Sequence, residues 1–153
     1  MWIPPEDKDP TTLLAPTRKK IGVFGAVSVE DGKLVVSKSD KYNTEVFLAF
    51  LKELILHRKK GRKMIVILDN ATWHHARLIR PWLEENKRYI ELFFLPSYSP
   101  DYNHIERVWK LTRRLCTHNR FFPNLEELIE AVFNQFKLWS QGSETLRRLC
   151  AFT

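Results

Sequence analysis

The apolar run Met64–Leu68, with the sequence MIVIL, constrains the fold of this chain more than any other segment. A strand that other elements cover on both sides has no face to present to water. A continuous apolar run is therefore typical of a central strand in a sheet with helices on both sides. We predict that Met64–Leu68 is such a strand, buried on both faces.

Three further segments are predicted from local patterns on either side of this strand. Ile21–Val29 and Lys33–Ser37 are β-rich and are separated by Glu30-Asp31-Gly32, which indicates a hairpin with a short turn. Ile90–Leu95 indicates another short strand. Met1–Thr17 carries four prolines and no periodicity, so it is predicted to be an irregular lead-in.

Apolar residues at helical spacing predict four amphipathic helices between and after the strands. Asn43 is the expected N-cap of the first helix and Gly61 its expected end, while the second helix is expected to be interrupted or to restart near Pro81. Asn124 and Glu127 have the spacing of a capping box. The predicted helices are Thr44 to about Arg58, Trp73 to about Glu85, Asn103 to about Thr117 and Asn124 to about Trp139. The order β-β-α-β-α-β-α-α predicts one α/β domain over residues 1–153, with a mixed sheet flanked by helices.

Composition is that of a soluble globular domain. The chain has 153 residues, of which 44% are hydrophobic and 28% charged, and it contains neither a bilayer-length apolar run nor a secretory signal. Cys116 and Cys150 are predicted to be ordinary reduced thiols. Four tryptophans are predicted to anchor the core: Trp73, Trp82, Trp109 and Trp139.

The charge of the chain favours an anionic partner, nucleic acid above all. The formal net charge is +7, from 25 Lys and Arg against 18 Asp and Glu, and the pI is about 9.5. The basic residues form three clusters, although a solvated helix end explains any single cluster equally well. The clusters are Arg18, Lys19 and Lys20; Arg58, Lys59, Lys60, Arg62 and Lys63; and Arg107, Lys110, Arg113 and Arg114.

Asp69 directly follows the predicted central strand. In open α/β sheets, chemistry gathers at the carboxyl ends of strands, so Asp69 is a candidate catalytic residue. Asp and Asn are also the residues that a turn from strand to helix uses as caps, and Asp69-Asn70 leads into such a helix. The residues alone leave both roles open.

Glu106 lies on the first turn of a predicted helix, with Asn103 at capping-box spacing before it, which favours a capping role. The tight loop Ser97–Asp101 can nevertheless bring Glu106 over the strand end that carries Asp69. Two carboxylates suit Mg²⁺, and a pair of such ions about 3.5–4 Å apart can activate water for an in-line displacement. Basic residues after Glu106 would then contact a DNA backbone.

His74 and His75 follow Asp69 closely. They can orient a phosphate or a water near a metal, but surface histidines explain the pair equally well. The sequence has no cluster of cysteines and histidines with zinc-finger spacing.

Two motifs, with the sequences VILDNATWHHA (Val66–Ala76) and LPSYSPDYNHIERVW (Leu95–Trp109), resemble those of the DDE transposases of the mariner superfamily and, more closely, of their bacterial insertion-sequence relatives. The segment VFGAVS (Val23–Ser28) also fits, and the resemblance covers about Trp2 to Trp139. It implies an RNase H-like fold, with a mixed five-stranded sheet, and an Asp-Asp-Glu triad that coordinates Mg²⁺ or Mn²⁺.

The resemblance also implies roles for individual residues. Asp69 matches the second acid and Glu106 the third, with 36 residues between them. Asn103 matches the asparagine of the motif, and His104 stands where a proline is common. Four residues are expected to support the two acids: Asn70, His74, His75 and Asn103.

The first acid of the family lies on a strand before the hairpin. The segment MWIPPEDKDP resembles the part of the family that comes directly after that strand, so we expect the strand, its acid and the preceding helix-turn-helix region to be missing. Asp7 and Asp9 are poor substitutes. A sheet edge left unpaired would invite association with another strand.

These features predict the catalytic-domain portion of a DDE transposase, which cleaves DNA phosphodiesters and joins strands with Mg²⁺ or Mn²⁺, and which is inactive alone. One alternative is a non-catalytic DNA-binding or assembly protein that pairs with a full-length transposase. Another is a nuclease that a second chain completes. The expected partners are DNA and either a second copy or another transposase chain, in the prokaryotic cytoplasm at the nucleoid.

Overall fold

The computed structural model describes residues 12–14, 20–39, 41–69, 77–96 and 103–151. The predicted order of elements is confirmed within these ranges, with one strand and one helix added. The elements are β1 (Thr12–Leu14), β2 (Lys20–Val27), β3 (Leu34–Ser39), α1 (Thr44–Leu54), β4 (Met64–Leu68), α2 (Arg80–Glu85), β5 (Ile90–Phe94), α3 (Ile105–Thr112), α4 (Leu125–Trp139) and α5 (Glu144–Leu149). A 3₁₀ turn (Ile55–His57) follows α1, and a π-helical segment (Arg113–Thr117) continues α3.

The strands form two separate sheets rather than the single mixed sheet that we predicted. β2 and β3 pair as an antiparallel hairpin, and β1 adds to the start of β2, opposite Lys20–Gly22. β4 and β5 pair in parallel, in a register from Met64↔Ile90 to Leu68↔Phe94. No strand of the described ranges joins β2 to β4.

The hairpin turn forms where the glycine signal predicts it. Ser28 N–H donates to the Lys33 carbonyl (2.9 Å), and Gly32 has a φ of 70°. Gly61 also has a positive φ, of 78°, but it does not end the first helix as predicted. That helix ends at Leu54 and its 3₁₀ turn ends at His57, so Gly61 belongs to the turn before β4.

The hairpin lies between two apolar clusters because successive side chains of a strand point to opposite faces. Val23 and Leu34 are buried against α3, α4 and α5. Phe24 and Val35 are buried on the other face, against α1, α2, β4 and β5. Helices therefore cover both faces of this sheet.

The prediction that β4 is buried on both faces is wrong. Val66 and Leu68 are buried, but the alternate side chains on the other face are exposed, Ile65 by 51% and Ile67 by 36%. Ile67 lies opposite Phe93, which is also exposed (52%). Within the described part of the chain, no element covers this face, and a five-residue apolar run cannot reveal that.

The structure also bears on the predictions for the tryptophans and the cysteines. Trp109 and Trp139 are buried and Trp82 is partly buried, whereas Trp73 lies outside the described residues. Cys116 and Cys150 are buried free thiols, as predicted, and burial raises the pKa of both, that of Cys150 to about 11.

The start of the second predicted helix also lies outside the described residues. A helix start near Pro81 is confirmed: α2 begins at Arg80, and Pro81 lies in its first turn, where its missing N–H costs nothing. In the described ranges, no helix is long and apolar enough to cross a bilayer.

Asn124 caps α4, because its Oδ1 accepts a hydrogen bond from Glu127 N–H (2.9 Å). We expect Asn124→Ala to lower the free energy of unfolding by about 1 kcal/mol, since one N–H of the first turn loses its partner. Urea denaturation followed by circular dichroism measures the change. Asn134→Ala, at an exposed site within the same helix, is the matched control and should be neutral or slightly stabilising. Equal losses in the two variants would contradict the capping role.

Candidate functional site

Asp69 lies at the carboxyl end of the parallel strand pair. Leu95 N–H donates to the Leu68 carbonyl (2.8 Å), so the parallel pairing continues to the last residue of β4. The two strands therefore end at one edge of their sheet, with Asp69 directly after β4. Its side chain is partly buried there.

Glu106 is the second residue of α3. Its backbone N–H donates to the Asn103 carbonyl (3.1 Å), and the buried Asn103 side chain accepts a hydrogen bond from Ile105 N–H (3.4 Å). The N-cap residue of α3 is His104, whose side chain makes no capping bond. In the predicted capping box, the Asn103 side chain would accept a hydrogen bond from Glu106 N–H. In the structure it accepts from Ile105 N–H, one residue earlier.

A cavity of about 340 Å³ is lined by residues that neighbour each of the two acids in the chain. It is lined by Ile67, two residues before Asp69, and by Asn103, His104 and Ile105, directly before Glu106. One oxygen of each carboxylate is shielded from solvent, Oδ1 of Asp69 and Oε1 of Glu106. Shielded carboxylate oxygens are costly unless hydrogen bonds or a cation compensate them.

The two carboxylates fit a hard divalent cation. Mg²⁺ takes oxygen ligands and is commonly held by one or two protein carboxylates, with water and phosphate completing its shell. Among the described residues, no group of three or more His, Cys, Asp or Glu side chains could hold a metal. This part of the chain therefore offers two acids rather than a full triad.

His104 lies two residues before Glu106 in the chain and lines the cavity. Burial lowers the pKa of its imidazole, and the Arg107 guanidinium lowers it further. The ring is therefore predominantly neutral at pH 7, and a neutral ring adds no positive charge that would repel a metal ion. The other predicted supporting residues, Asn70, His74 and His75, lie outside the described residues.

The basic cluster from Arg58 to Lys63 is largely engaged with acidic and aromatic groups. Lys59 and Arg62 both form salt bridges with Glu30 at 2.9 Å, and the hydrogen bonds from Arg62 and Lys59 lower the pKa of Glu30 to about 2. Lys63 pairs with Glu91 (3.0 Å), and the Arg58 guanidinium lies 4.7 Å from the centre of the Tyr89 ring. The positive charge of this cluster is thus partly neutralised, which weakens it as a DNA-binding surface.

The cluster on α3 is more open. Val108, Trp109 and Thr112 are buried, and the basic side chains are exposed on the rest of the helix and the π-helical segment. Arg107 Nη1 also donates to the Leu149 carbonyl (3.0 Å). We refer to this set as the α3 basic face: Arg107, Lys110, Arg113 and Arg114. It lies on the helix that carries Glu106.

One contact that the sequence interpretation missed fixes α3 against the hairpin. A Cβ on Gly25 would lie 2.4 Å from Trp109 Cη2 and 2.6 Å from Cζ2. Only glycine allows the buried indole to approach β2 this closely. A glycine inside the β-rich segment IGVFGAVSV was the available signal.

A hairpin sheet covered by helices, a parallel strand pair ending in an acid, and a second acid on the next helix are the features of an RNase H-like fold. The crystal structure of the catalytic domain of Mos1 mariner transposase is similar, with a TM-score of 0.66 over 90% of this chain and 74% of that one, at 18% identity. Two further structures of that protein, one with raltegravir and Mn and one of its strand transfer complex, also have TM-scores of 0.66. These similarities confirm the predicted fold class.

The chain belongs to the DDE superfamily endonuclease family, whose model matches residues 2–129. An uncharacterized 39 kDa protein of insertion element IS630 from Shigella sonnei is 27% identical over 114 residues, which are 74% of this chain and 33% of that protein. The uncharacterized protein y4pE/y4sA of Sinorhizobium fredii is 34% identical over 70% of this chain and 76% of its own length. The chain thus spans about a third of the first relative and most of the second.

Proposed function

We propose that this chain is the catalytic-domain part of an insertion-sequence transposase, which acts in metal-dependent cleavage and strand transfer of DNA. The observation that carries the proposal is that Asp69 and Glu106, which follow residues lining one cavity, each have a carboxylate oxygen shielded from solvent. Family membership and the shared fold support it. A DNA-bound transposase of the same fold supports a DNA substrate.

Asp69 and Glu106 would be the metal ligands contributed by the described residues. When bound, Mg²⁺ or Mn²⁺ supplies Lewis-acid chemistry for phosphodiester attack and for the leaving oxygen. The neutral His104 ring leaves the charge of the carboxylates available to the cation. The α3 basic face would contact the phosphate backbone, which positions DNA without reading its sequence.

We further propose that the first acid of the triad comes from outside the described residues, and that this chain is inactive until it is supplied. Among the residues described, no group of three or more His, Cys, Asp or Glu side chains could hold a metal, which supports this proposal. Mg²⁺-dependent nicking of duplex DNA by the chain alone, lost in Asp69→Ala, would overturn this part of the proposal. The proposed location follows from the DNA substrate and is the prokaryotic cytoplasm at the nucleoid.

The metal site is tested by Mn²⁺ binding, followed by electron paramagnetic resonance or calorimetry. We expect Asp69→Asn and Glu106→Gln each to weaken Mn²⁺ binding by at least about tenfold, because each removes a negatively charged oxygen ligand. Glu53→Gln is the matched control, since it removes one exposed carboxylate from α1 and should leave binding unchanged. Thermal unfolding of each variant verifies that the fold is retained. Wild-type affinity in both site variants would refute the role of these acids.

A non-catalytic DNA-binding or assembly role is the second candidate, and the exposed α3 basic face favours it. The two roles differ in what metal does to DNA binding. In the catalytic role, Mg²⁺ should tighten DNA binding by wild type but not by Glu106→Gln, because a cation held by the two carboxylates would add positive charge beside the DNA backbone. In the assembly role, wild type and Glu106→Gln bind DNA with the same affinity, and Mg²⁺ changes the affinity of neither.

A further inference from the structure

One aromatic side chain lies in solvent just beyond the α3 basic face. Phe121 is 80% exposed, more than any other aromatic side chain that the structure describes. It belongs to residues 118–123, which join the π-helical segment to α4 and which we call the phenylalanine loop. A single exposed apolar side chain is common on protein surfaces, so only its setting can indicate a ligand.

The phenylalanine loop is held in one conformation at its start. His118 N–H donates to the Arg113 carbonyl (2.8 Å), and Arg120 N–H donates to the Thr117 carbonyl (3.2 Å). Asn119, between them, has a φ of 57°, in the left-handed region that asparagine enters more readily than most residues. The loop therefore bends back onto the π-helical segment instead of extending into solvent.

The neighbours of Phe121 are anchored on both sides. Phe122 packs against the buried cluster that contains Trp109. The Arg120 guanidinium lies 5.8 Å from the centre of the Phe122 ring, and its Nη1 donates to the Cys116 carbonyl (3.5 Å). A fixed loop thus presents an exposed phenyl ring, and a ligand that binds the ring has little conformational entropy of the loop to remove.

The surroundings of Phe121 are basic. Residues 113–123 include no acidic residue, and four exposed side chains can carry positive charge: Arg113, Arg114, His118 and Arg120. The next acids along the chain, Glu126 and Glu127, lie in the first turn of α4, where the positive end of the helix dipole offsets their charge. A ligand that combines negative charge with flat apolar groups suits this surface.

We infer that Phe121 stacks on an unpaired base of DNA whose backbone lies along the α3 basic face. Every base has a π-face, and aromatic side chains beside a basic groove hold single strands without reading their sequence. α3 and the π-helical segment are continuous, so phosphates bound along them lead to the phenylalanine loop. The inference rests on the proposed DNA substrate and adds a contact to the bases.

The test compares two single strands of about twelve nucleotides at 0.1 M salt: oligo(dT), and an abasic strand with the same phosphates and no bases. Fluorescence anisotropy measures both affinities. We expect wild type to bind oligo(dT) at least about fivefold more tightly, because stacking one base on an aromatic ring contributes at least that factor. Phe121→Ala should lose this preference and keep the affinity for the abasic strand. Phe121→Trp, which retains a flat ring, should keep the preference.

A control variant and a direct readout separate stacking from a structural role. Leu56→Ala removes an apolar side chain of similar exposure (82%) from the turn after α1 and should leave both affinities unchanged. Strands that carry 5-iodouracil form photochemical crosslinks to aromatic rings stacked on that base. We expect mass spectrometry to place the crosslink at Phe121 in wild type, and we expect no crosslink at this position in Phe121→Ala.

Several outcomes would overturn the inference. Equal weakening of both strands by Phe121→Ala means that the ring supports the loop and not a base. Unchanged affinities in Phe121→Ala, or a crosslink only at other residues, mean that the ring does not contact the bases. If wild type binds both strands equally and Lys110→Glu with Arg114→Glu weakens both, the DNA surface stands and only the stacking fails. If wild type binds neither strand nor duplex DNA, the proposed substrate itself fails.

Discussion

Trp109→Ala is expected to lower the free energy of unfolding by about 3–5 kcal/mol, the largest effect predicted for this protein. The indole is 2% exposed, and its ring centre lies 5.8 Å from that of Phe136 in an edge-to-face contact. Removing it leaves a cavity between β2 and α3 that neighbouring side chains cannot fill. Urea denaturation followed by circular dichroism measures the loss.

Gly25→Ala tests the same contact from the strand. The new methyl group would lie within 3 Å of the buried indole, so we expect a loss of about 1–3 kcal/mol from overpacking. Trp109→Leu removes the ring atoms that the new methyl group would meet. The variant that combines Gly25→Ala with Trp109→Leu should therefore lose less free energy of unfolding than the sum of the two single losses. Additivity within about 0.5 kcal/mol would show that the two residues do not interact.

The contact also bears on the metal site, because Trp109 lies one helical turn after Glu106. We expect Trp109→Ala to weaken Mn²⁺ binding at temperatures where the variant is still folded. Trp139→Ala is the matched control: Trp139 is buried in the same cluster but lies on α4. It should destabilise the fold without changing Mn²⁺ affinity. A similar loss of Mn²⁺ affinity in both variants would show only a general effect of instability.

Combining Lys110→Glu with Arg114→Glu is expected to weaken binding to a nonspecific DNA duplex by roughly tenfold or more at 0.1 M salt. The two residues are exposed on the α3 basic face, so their reversal removes attraction to phosphates and adds repulsion. If each contacts one phosphate, the slope of log K against log salt becomes shallower by about 2. Fluorescence anisotropy over a salt series measures both quantities.

Two comparisons show whether position or net charge is responsible. Lys52→Glu with Lys137→Glu makes the same change in charge on α1 and α4 and should weaken binding far less. Glu30→Gln frees Arg62 from its salt bridge and leaves Lys59 with only Asp31 as a partner (3.6 Å), whereas Glu84→Gln frees only Lys87. If Glu30→Gln tightens DNA binding and Glu84→Gln does not, the basic cluster from Arg58 to Lys63 is also part of the DNA-binding surface. Equal losses in the two charge-reversal pairs would refute a localised surface.

Local patterns in the sequence predicted much of the fold because the interactions behind them are local. The hairpin turn needs only a glycine at a positive φ, and the caps Asn43 and Asn124 bond to N–H groups three residues away. The short helix α5 was missed. Its six residues show little apolar periodicity, and the Ser143 cap is its main signal.

Features that depend on distant residues escaped prediction. The residues on both faces of β4 are apolar. Only the surrounding elements determine that Ile65 is exposed and Val66 is buried. The basic run from Arg58 suggested a DNA surface, but Glu30, 32 residues before Arg62, binds two of its members. Asp69 and Glu106 were predicted from their motifs, and the position of Glu106 depends on how α3 packs.

The short helix α5 ties two distant parts of the domain together. Ser143 N–H donates to the Asp31 carbonyl at the hairpin tip, and a Cβ on Gly32 would overlap the Ser143 backbone. At the other end, the Leu149 carbonyl accepts from Arg107, and Cys150 Sγ lies 3.8 Å from the His104 carbonyl. Contacts at the two ends of α5 therefore connect the hairpin to α3, the helix that carries Glu106. Tags or truncations at α5 would therefore disturb the position of Glu106 relative to Asp69, although they would contact neither residue.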